Sequence, residues 1–409
     1  MLWLMLPIVA AQEPAAPEES LSPEELAEIE AALSADAEVA AEVAAQRTPP
    51  PTPPPGSSSG GNMNPDIAFI ADMALAAFSA DAPLQSGAHD PTVNGVNLQQ
   101  LEMALEGSVD PYFHFDANIV FTQFGVEIEE VYATTTALPG RLQVRAGQFL
   151  TRFGRANPTH PHSWDFVDQA LPIGRLFGGE GNRGLGAELS WLAPLPWYVE
   201  VTASETMISG AATSKSWSDA AAVGVDGPGD LQTTAAVKQF FPLGQDWSLM
   251  WGLSWAGGPN GTGRANRSEV YGTDVFLKFR PITASSYQQV SLHSEWFHRR
   301  VQVPEDLYTD LSGFTQLAWR FARRWTAAAR HEYGGSTAAS DGQLVADPFD
   351  ATWQGSRHRY AANATFWPTE FSRLRLQGAV DLPDWEEALA YSAFLAFEFN
   401  VGAHGAHAF

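Results

Sequence analysis

Beyond position 64, apolar side chains return at every second position in one segment after another, and the stretch from Leu389 to Val401 shows the pattern most fully. Tyr391, Ala393, Leu395, Phe397, Phe399 and Val401 share one side; Ser392, Ala396, Glu398 and Asn400 share the other, with Phe394 as the one apolar exception. A two-residue repeat fits a strand and not a helix. Strands of about 10 residues with one oily and one polar face suit either a soluble sandwich or a lipid-spanning barrel.

The connections separate these two. Alternation and turn residues place strands near 65–79, 97–109, 111–122, 125–136, 139–149, 183–193, 196–206, 230–241, 246–256, 268–280, 286–301, 311–322, 324–335, 356–367, 369–380 and 389–401, about sixteen in all and so an even number. Long connections run over Ala80 to Val96, Leu150 to Asn182, Met207 to Asp230, Gly257 to Arg267 and Gly334 to Gly355. Tight ones sit at Asp110-Pro111, Leu138-Pro139, Pro194 to Pro196, Pro242 to Gln245, Arg323 and Pro368. Long and short alternate through most of the chain, so long loops gather at one end of the sheet and turns at the other. A soluble sandwich has no reason to sort its loops in this way; an outer-membrane barrel does.

Composition narrows the choice further. No stretch approaches the ~18 consecutive apolar residues of a spanning helix, which leaves a closed barrel as the way to span, because open sheet edges cannot sit in lipid. The 14 Trp, 24 Phe and 9 Tyr fit interfacial girdles. Absence of cysteine excludes disulfide scaffolds and thiolate metal sites, and a net charge of -24 disfavours nucleic acid as a partner.

The N-terminal part reads as three pieces. Residues 1–11 (MLWLMLPIVAA) read as a signal peptide that lacks a basic n-region, as a misplaced start would produce. Residues 12–47 form an acidic periplasmic helix, opened by the capping box Ser22-Pro23-Glu24-Glu25 and carrying a thin stripe at Leu26, Ile29 and Leu33; a solvated, partly disordered leader is the alternative. Residues 48–64 are a Pro then Gly/Ser linker. Residues 65–409 are the barrel. The expected fold is therefore all-β: a single closed antiparallel transmembrane β-barrel of about sixteen strands with an N-terminal acidic helix.

The run LEMALEGSVDPYFHFDANIVFTQFGVEIEEVYATTTALPGRLQVRAGQFLTRFG, from Leu101 to Gly154, resembles the early hairpins of the phosphate-selective porin family. NPTHPHSWDFVDQALPIGRLFGGEGNRGLGAELSWL, from Asn157 to Leu192, together with the ending GAHGAHAF, resembles bacterial outer-membrane proteins described as zinc-regulated TonB-dependent receptors. These resemblances imply a Gram-negative outer membrane, a periplasmic leader, assembly as a trimer, and Phe409 as the C-terminal signal read by the barrel-assembly machinery. Energised receptors use about 22 strands around a plug, and sixteen strands already consume the residues after the linker, so transport by diffusion is expected instead.

The longest connection, Leu150 to Asn182, carries Phe153, Trp164, Phe166, Val167, Leu171, Ile173, Leu176 and Phe177. So much apolar surface is expected to fold into the lumen as a constriction, with Arg152, Arg155, Trp164, Asp165, Phe166 and Asp168 in its wall; a lid over the barrel mouth is the alternative. Alternation aims Glu102, Glu106, Asp116, Glu127, Glu129, Glu188 and Glu200 inward from the early strands, with Arg141 and Arg145 as basic exceptions. Lys238, Lys278, Arg280, Arg299, Arg320, Arg330, Arg357, Arg359, Arg373 and Arg375 follow from the later ones, with Asp274, Glu295, Glu332 and Glu398 interspersed. In a closed barrel the two groups face each other, giving either a transverse field that sorts ions or simply a solvated wall.

Two histidine pairs, His160 with His162 and His404 with His407, could bind zinc, although a closed zinc site normally needs four ligands. No resident cofactor is otherwise implied. Catalysis is not expected, since no GxSxG elbow is present and Ser291 and His293 point inward. The expected role is a porin-like channel between membrane lipid and water for small hydrophilic solutes or ions. A zinc- or metal-linked uptake channel is the alternative.

Overall fold

A computed structural model describes residues 65–402, apart from 83, 124, 219–224, 264 and 282–286. The signal peptide, acidic helix and linker expected over 1–64 lie outside the described residues, as do His404, His407 and Phe409. Among the described residues no helix is long and apolar enough to cross a membrane, which says nothing against a barrel.

The wall consists of sixteen strands: β1 (Asp66–Phe78), β2 (Gly95–Ser108), β3 (Phe113–Phe121), β4 (Val126–Thr135), β5 (Leu142–Leu150), β6 (Arg183–Leu192), β7 (Tyr198–Thr206), β8 (Gln232–Leu243), β9 (Trp247–Pro259), β10 (Arg267–Phe279), β11 (Gln289–Val303), β12 (Asp306–Ala322), β13 (Trp325–Gly334), β16 (Arg357–Thr369), β17 (Ser372–Pro383) and β18 (Ala390–Gly402). Two short strands, β14 (Thr337–Ala338) and β15 (Leu344–Val345), form a ladder within the loop after β13. Each wall strand pairs antiparallel with its sequence neighbours, β13 pairs with β16, and β18 pairs with β1. The sheet closes on itself through β1 and β18, and the first half of β4 is left without a ladder partner on its β5 side.

Both ends of the barrel segment lie at the turn end, where Asp66 pairs with Glu106 and Ala68 with Gly402. The sorting of loops by length has three exceptions: the connections after Phe121 and after Val303 are tight turns at the loop end, and residues 280–288 make a longer connection at the turn end. After Val303, β11 and β12 run on as a tall hairpin and close at Pro304-Glu305, with Glu305 in the left-handed region at φ 66°.

Side chains sort as a barrel in lipid requires. Leu75, Leu189, Leu253, Leu317, Leu376 and Tyr391 are exposed on the outer face, while their strand neighbours turn inward. Outward aromatics collect at the turn end: Trp247 against Phe279, Trp319 against Phe321, and Trp325 against Phe366, with centroids 4.8, 5.3 and 4.8 Å apart. That is one interfacial girdle. Phe394, the apolar exception of β18, is 1% exposed and packs inward with Ala74, Ala76 and Val167. It faces protein from another part of the chain, not water.

Two register shifts re-aim side chains. Between Asn118 and Ile119 of β3 the opposing strand β4 carries one extra residue, and Glu129 and Glu130 are both buried. Between Asp72 and Met73 of β1 the same happens opposite β2, where Gln100 is buried and Gln99 half-buried. A bulge breaks the two-residue alternation and so lets consecutive residues turn inward.

Candidate functional site

The chain leaves the wall at Leu150 and rejoins it at Arg183. Strand β5 pairs with β4 only from Thr134 to Val131, so the remaining edge of β4 needs other partners. Glu130 Oε1 accepts the Leu150 N–H at 2.6 Å, Gln148 donates to the Ile128 carbonyl, and Arg183 forms an ion pair with Glu127. The gap in the ladder is where the segment 151–182 turns inward.

That segment is fixed to the inner wall on every side. Arg155 and Ala156 donate their N–H groups to Glu295 Oε1 of β11 at 2.9 and 2.6 Å, and Lys238 of β8 donates to the Gly154 carbonyl at 2.7 Å. Asn157 closes the base by bonding the backbone of both Thr151 and Asn182. His160 reaches β3 and β4, with Nε2 2.8 Å from both Asn118 Nδ2 and Glu130 Oε2, and His162 Nδ1 lies 2.8 Å from Glu102 of β2.

Across the barrel, the Trp164 carbonyl accepts from Arg373 and Arg375, Asn363 donates to the Asp165 carbonyl, and Gln377 accepts the Val167 N–H. Asp168 is 2% exposed and takes Arg330 at 2.9 Å, Gln377 at 2.8 Å and Arg359. Helix α1 (Leu171–Leu176) is wholly buried, and its first N–H goes to Glu332 of β13 at 2.6 Å. Apolar contacts complete the seal: Phe166 lies on Ala318, Ala328, Ala361 and Ala379, and Phe153 and Phe177 pack with Trp217 and Phe297. Small wall residues leave room for the large ones of the segment.

Around it three cavities adjoin. A cavity of about 830 Å³ at the turn end includes Arg152, Glu200, Lys238, Asp274, Arg375 and Glu398 in its lining. It shares Arg155, Thr159 and Trp164 with a cavity of about 340 Å³ against Phe276, His293, Gln316 and Arg330. The latter shares Gly179 with a cavity of about 520 Å³ at the loop end, near Lys215, Asp350 and Trp385.

Of the residues expected to line the lumen, Glu102, Glu129, Arg145, Glu188, Arg330, Arg357, Arg359, Arg373 and Arg375 are buried inside the wall. Glu106, Asp116, Glu127, Glu200, Lys238 and Lys278 are half-buried. Arg141 departs from expectation: it is exposed on the turn before β5, with φ 62°, because the strand starts only at Leu142. Arg280 and Arg320 are likewise exposed at the turn end.

The acidic and basic halves do not face each other across open water, because many charges are matched by neighbours. Arg145 meets Glu188 at 3.1 Å, Arg330 meets Glu332 at 3.1 Å, Arg357 meets Asp381 at 2.6 Å, and Arg373 pairs with Glu398. Sequence reasoning missed Asp310 and Asp381, the acids that take Arg299 and Arg357. It also missed Glu130, which strict alternation aims outward. Ser291 and His293 face the interior as expected, where His293 Nε2 lies 2.7 Å from Glu295, a carboxylate already holding the segment's backbone.

Charge also ties the loop end together. Asp350 receives Lys215 at 2.6 Å, and Asp347 pairs with Arg299 and lies 3.7 Å from Arg175. Burial works against ionising either carboxyl, yet Lys215 holds Asp350, and Arg299 and Arg175 hold Asp347, below the ordinary value of 3.8. Lowered folded-state values mean stability that is present above the unfolded pKa and lost as pH falls through the folded one. The protection of the amides over 345–353 relative to their intrinsic exchange should therefore be unchanged from neutral pH down to about 5 and fall below about 4. In the 79–94 loop, burial disfavours the charged His89 ring, but the Glu180 carboxylate 3.4 Å away, with Glu129 and Glu127, pushes its pKa up to about 9.

No family model matches the chain. The fold is that of outer-membrane porins. An anion-selective porin from Comamonas acidovorans superposes with a TM-score of 0.54 at 9% identity, covering 83% of this chain and 99% of that one. The outer membrane channel DcaP of Acinetobacter baumannii gives 0.54 at 11% identity, covering 83% and 98%. At such identities the likeness is one of fold. In sequence, the chain is 31% identical over 340 residues to an uncharacterized protein of Aquifex aeolicus (strain VF5), covering 77% of this chain and 70% of that protein. A match of that identity and extent joins the two: the chain belongs to the same protein family as this Aquifex aeolicus protein.

Proposed function

We propose that the chain is a porin-like channel of a Gram-negative outer membrane, through which small hydrophilic solutes or ions diffuse passively past a constriction made by residues 151–182. The observation that carries this reading is the placement of that segment, bonded to β2–β4, β8, β9, β11–β13, β16 and β17 from within, with cavities of about 830, 340 and 520 Å³ adjoining around it. Mixed charge along this route suits hydrophilic passengers rather than oily ones. The outward apolar face and its girdle support the membrane setting.

Reconstitution in planar bilayers tests the proposal. Discrete current steps are expected, with reversal potentials under a salt gradient reporting ion preference, and closure in three equal levels if the trimer implied by the resemblance forms. Folded protein that inserts yet gives no steps overturns the channel reading. The metal-linked alternative has its own observation at His160.

A further inference from the structure

Glu129 is the least explained side chain inside the barrel. It is 4% exposed, and its buried Oε2 makes no well-aligned hydrogen bond; its one close partner is His160 Nδ1, at ion-pair distance, 3.2 Å. Glu102 is fully buried; its Oε2 meets His162, but its Oε1 makes no hydrogen bond and lies 3.9 Å from the same His160 Nδ1. His160 Nδ1 also makes no hydrogen bond of its own, while Nε2 is engaged with Glu130 and Asn118. Three ligand atoms thus converge, one imidazole nitrogen and two carboxylate oxygens, all within 4.8 Å of one another.

We propose that His160, Glu102 and Glu129 bind one divalent transition-metal ion of the zinc class, as three protein ligands with the fourth position open to water. Ligands about 2.0–2.1 Å from a tetrahedral ion stand roughly 3.3 Å apart; the two carboxylate oxygens lie 3.2 and 3.9 Å from His160 Nδ1 and within 4.8 Å of each other, so binding draws them together. Imidazole with carboxylate suits zinc, cobalt or nickel better than magnesium or calcium, which prefer oxygen throughout. Both kinds of ligand are held from behind: Glu130 fixes the far nitrogen of His160, and His162 holds the other oxygen of Glu102.

Charge points the same way. Glu102, Glu127, Glu129, Glu130 and Glu180 crowd this corner, where Arg183 pairs with Glu127 and Glu180 and the protonated His89 ring faces Glu180, leaving the carboxylates in the majority. Buried carboxylates in excess of cations are costly unless something positive offsets them. His89 and Glu180 stand on the other side of Glu129, again with ligand atoms within 4.8 Å of it. An ion here would staple the inserted segment to β2 and β4. The site differs from the histidine pair read from sequence, because His162 serves Glu102 instead of the ion.

The test uses the full chain, folded in detergent micelles, stripped with a chelator and dialysed against micromolar Zn²⁺ or Co²⁺. About one equivalent of metal per chain is expected, with a ligand-field spectrum for Co²⁺ and no competition from excess Mg²⁺. Glu129→Gln and Glu102→Gln should each weaken binding at least about tenfold, to be read on chains that keep their barrel by circular dichroism. A His404→Asn/His407→Asn double variant should bind as the parent chain does. Less than a tenth of an equivalent on the parent chain overturns the proposal and leaves an internal salt-bridge cluster. So does binding that survives both Glu variants, or that disappears with the tail histidines. The readout is stoichiometry, so it stands or falls independently of whether the barrel conducts.

Discussion

An Asp168→Ala chain is expected to keep its barrel and to lose the docking of the inserted segment on the far wall. Asp168 is the point at which Arg330, Arg359 and Gln377 meet that segment. Removing one partner of a buried ion pair costs about 3–5 kcal/mol, because the remaining charge stays buried without its match. The ratio of docked to free segment should then fall by roughly two to three and a half orders of magnitude. Strand pairing does not involve Asp168, so heat stability of the sheet should change little while single-channel conductance and current noise rise. Asp165→Ala is the comparison. It removes the carboxylate that accepts from Gln316 at 3.1 Å, worth about 1.5–3 kcal/mol, and should leave the segment docked and the current noise near that of the parent. Equal behaviour of the two variants would mean that Asp168 is not the latch.

Leu376→Arg should be the most damaging change on the outer face. Leu376 is 62% exposed toward the middle of β17, paired with Ala364 and Leu395. An arginine near the bilayer midplane costs about 2–4 kcal/mol, against roughly 0–1 kcal/mol close to the interface. Leu382→Arg, near the end of the same strand, is the matched control. Refolding into lipid vesicles over a denaturant series gives both numbers. Equal, negligible costs would mean that water rather than lipid covers this face.

The barrel was legible because lipid on one side and a wet or packed interior on the other impose a single period on every strand. Tyr391 to Val401 illustrates this, since each residue lies on the side that alternation assigns. Legibility ended where the backbone departs from that period. The bulge in β4 turns Glu130 inward beside Glu129, and the left-handed Gly140 and Arg141 delay β5 until Leu142. Apolar content alone was enough to send the 151–182 segment toward protein, but its anchors were not readable. Asp168 finds Arg359 191 residues away, and Val167 finds Gln377 210 residues away. Spacing within a strand carries no information about such partners. His160 shows the same limit: the sequence offered His162 as its partner, whereas closure of the barrel supplies Glu102, Glu129 and Glu130.

Lipid on the outside and water on the inside is the claim on which the rest depends, and nitroxide accessibility measures it directly. The chain has no cysteine, so single labels can be placed at Leu253→Cys, Leu317→Cys and Leu376→Cys outside, and at Gln316→Cys and Asn400→Cys inside. In lipid vesicles, the outer three should be relaxed by oxygen dissolved in lipid and shielded from a water-soluble nickel chelate, and the inner two should show the reverse. Outer labels relaxed by the nickel chelate as strongly as the inner ones would contradict the account.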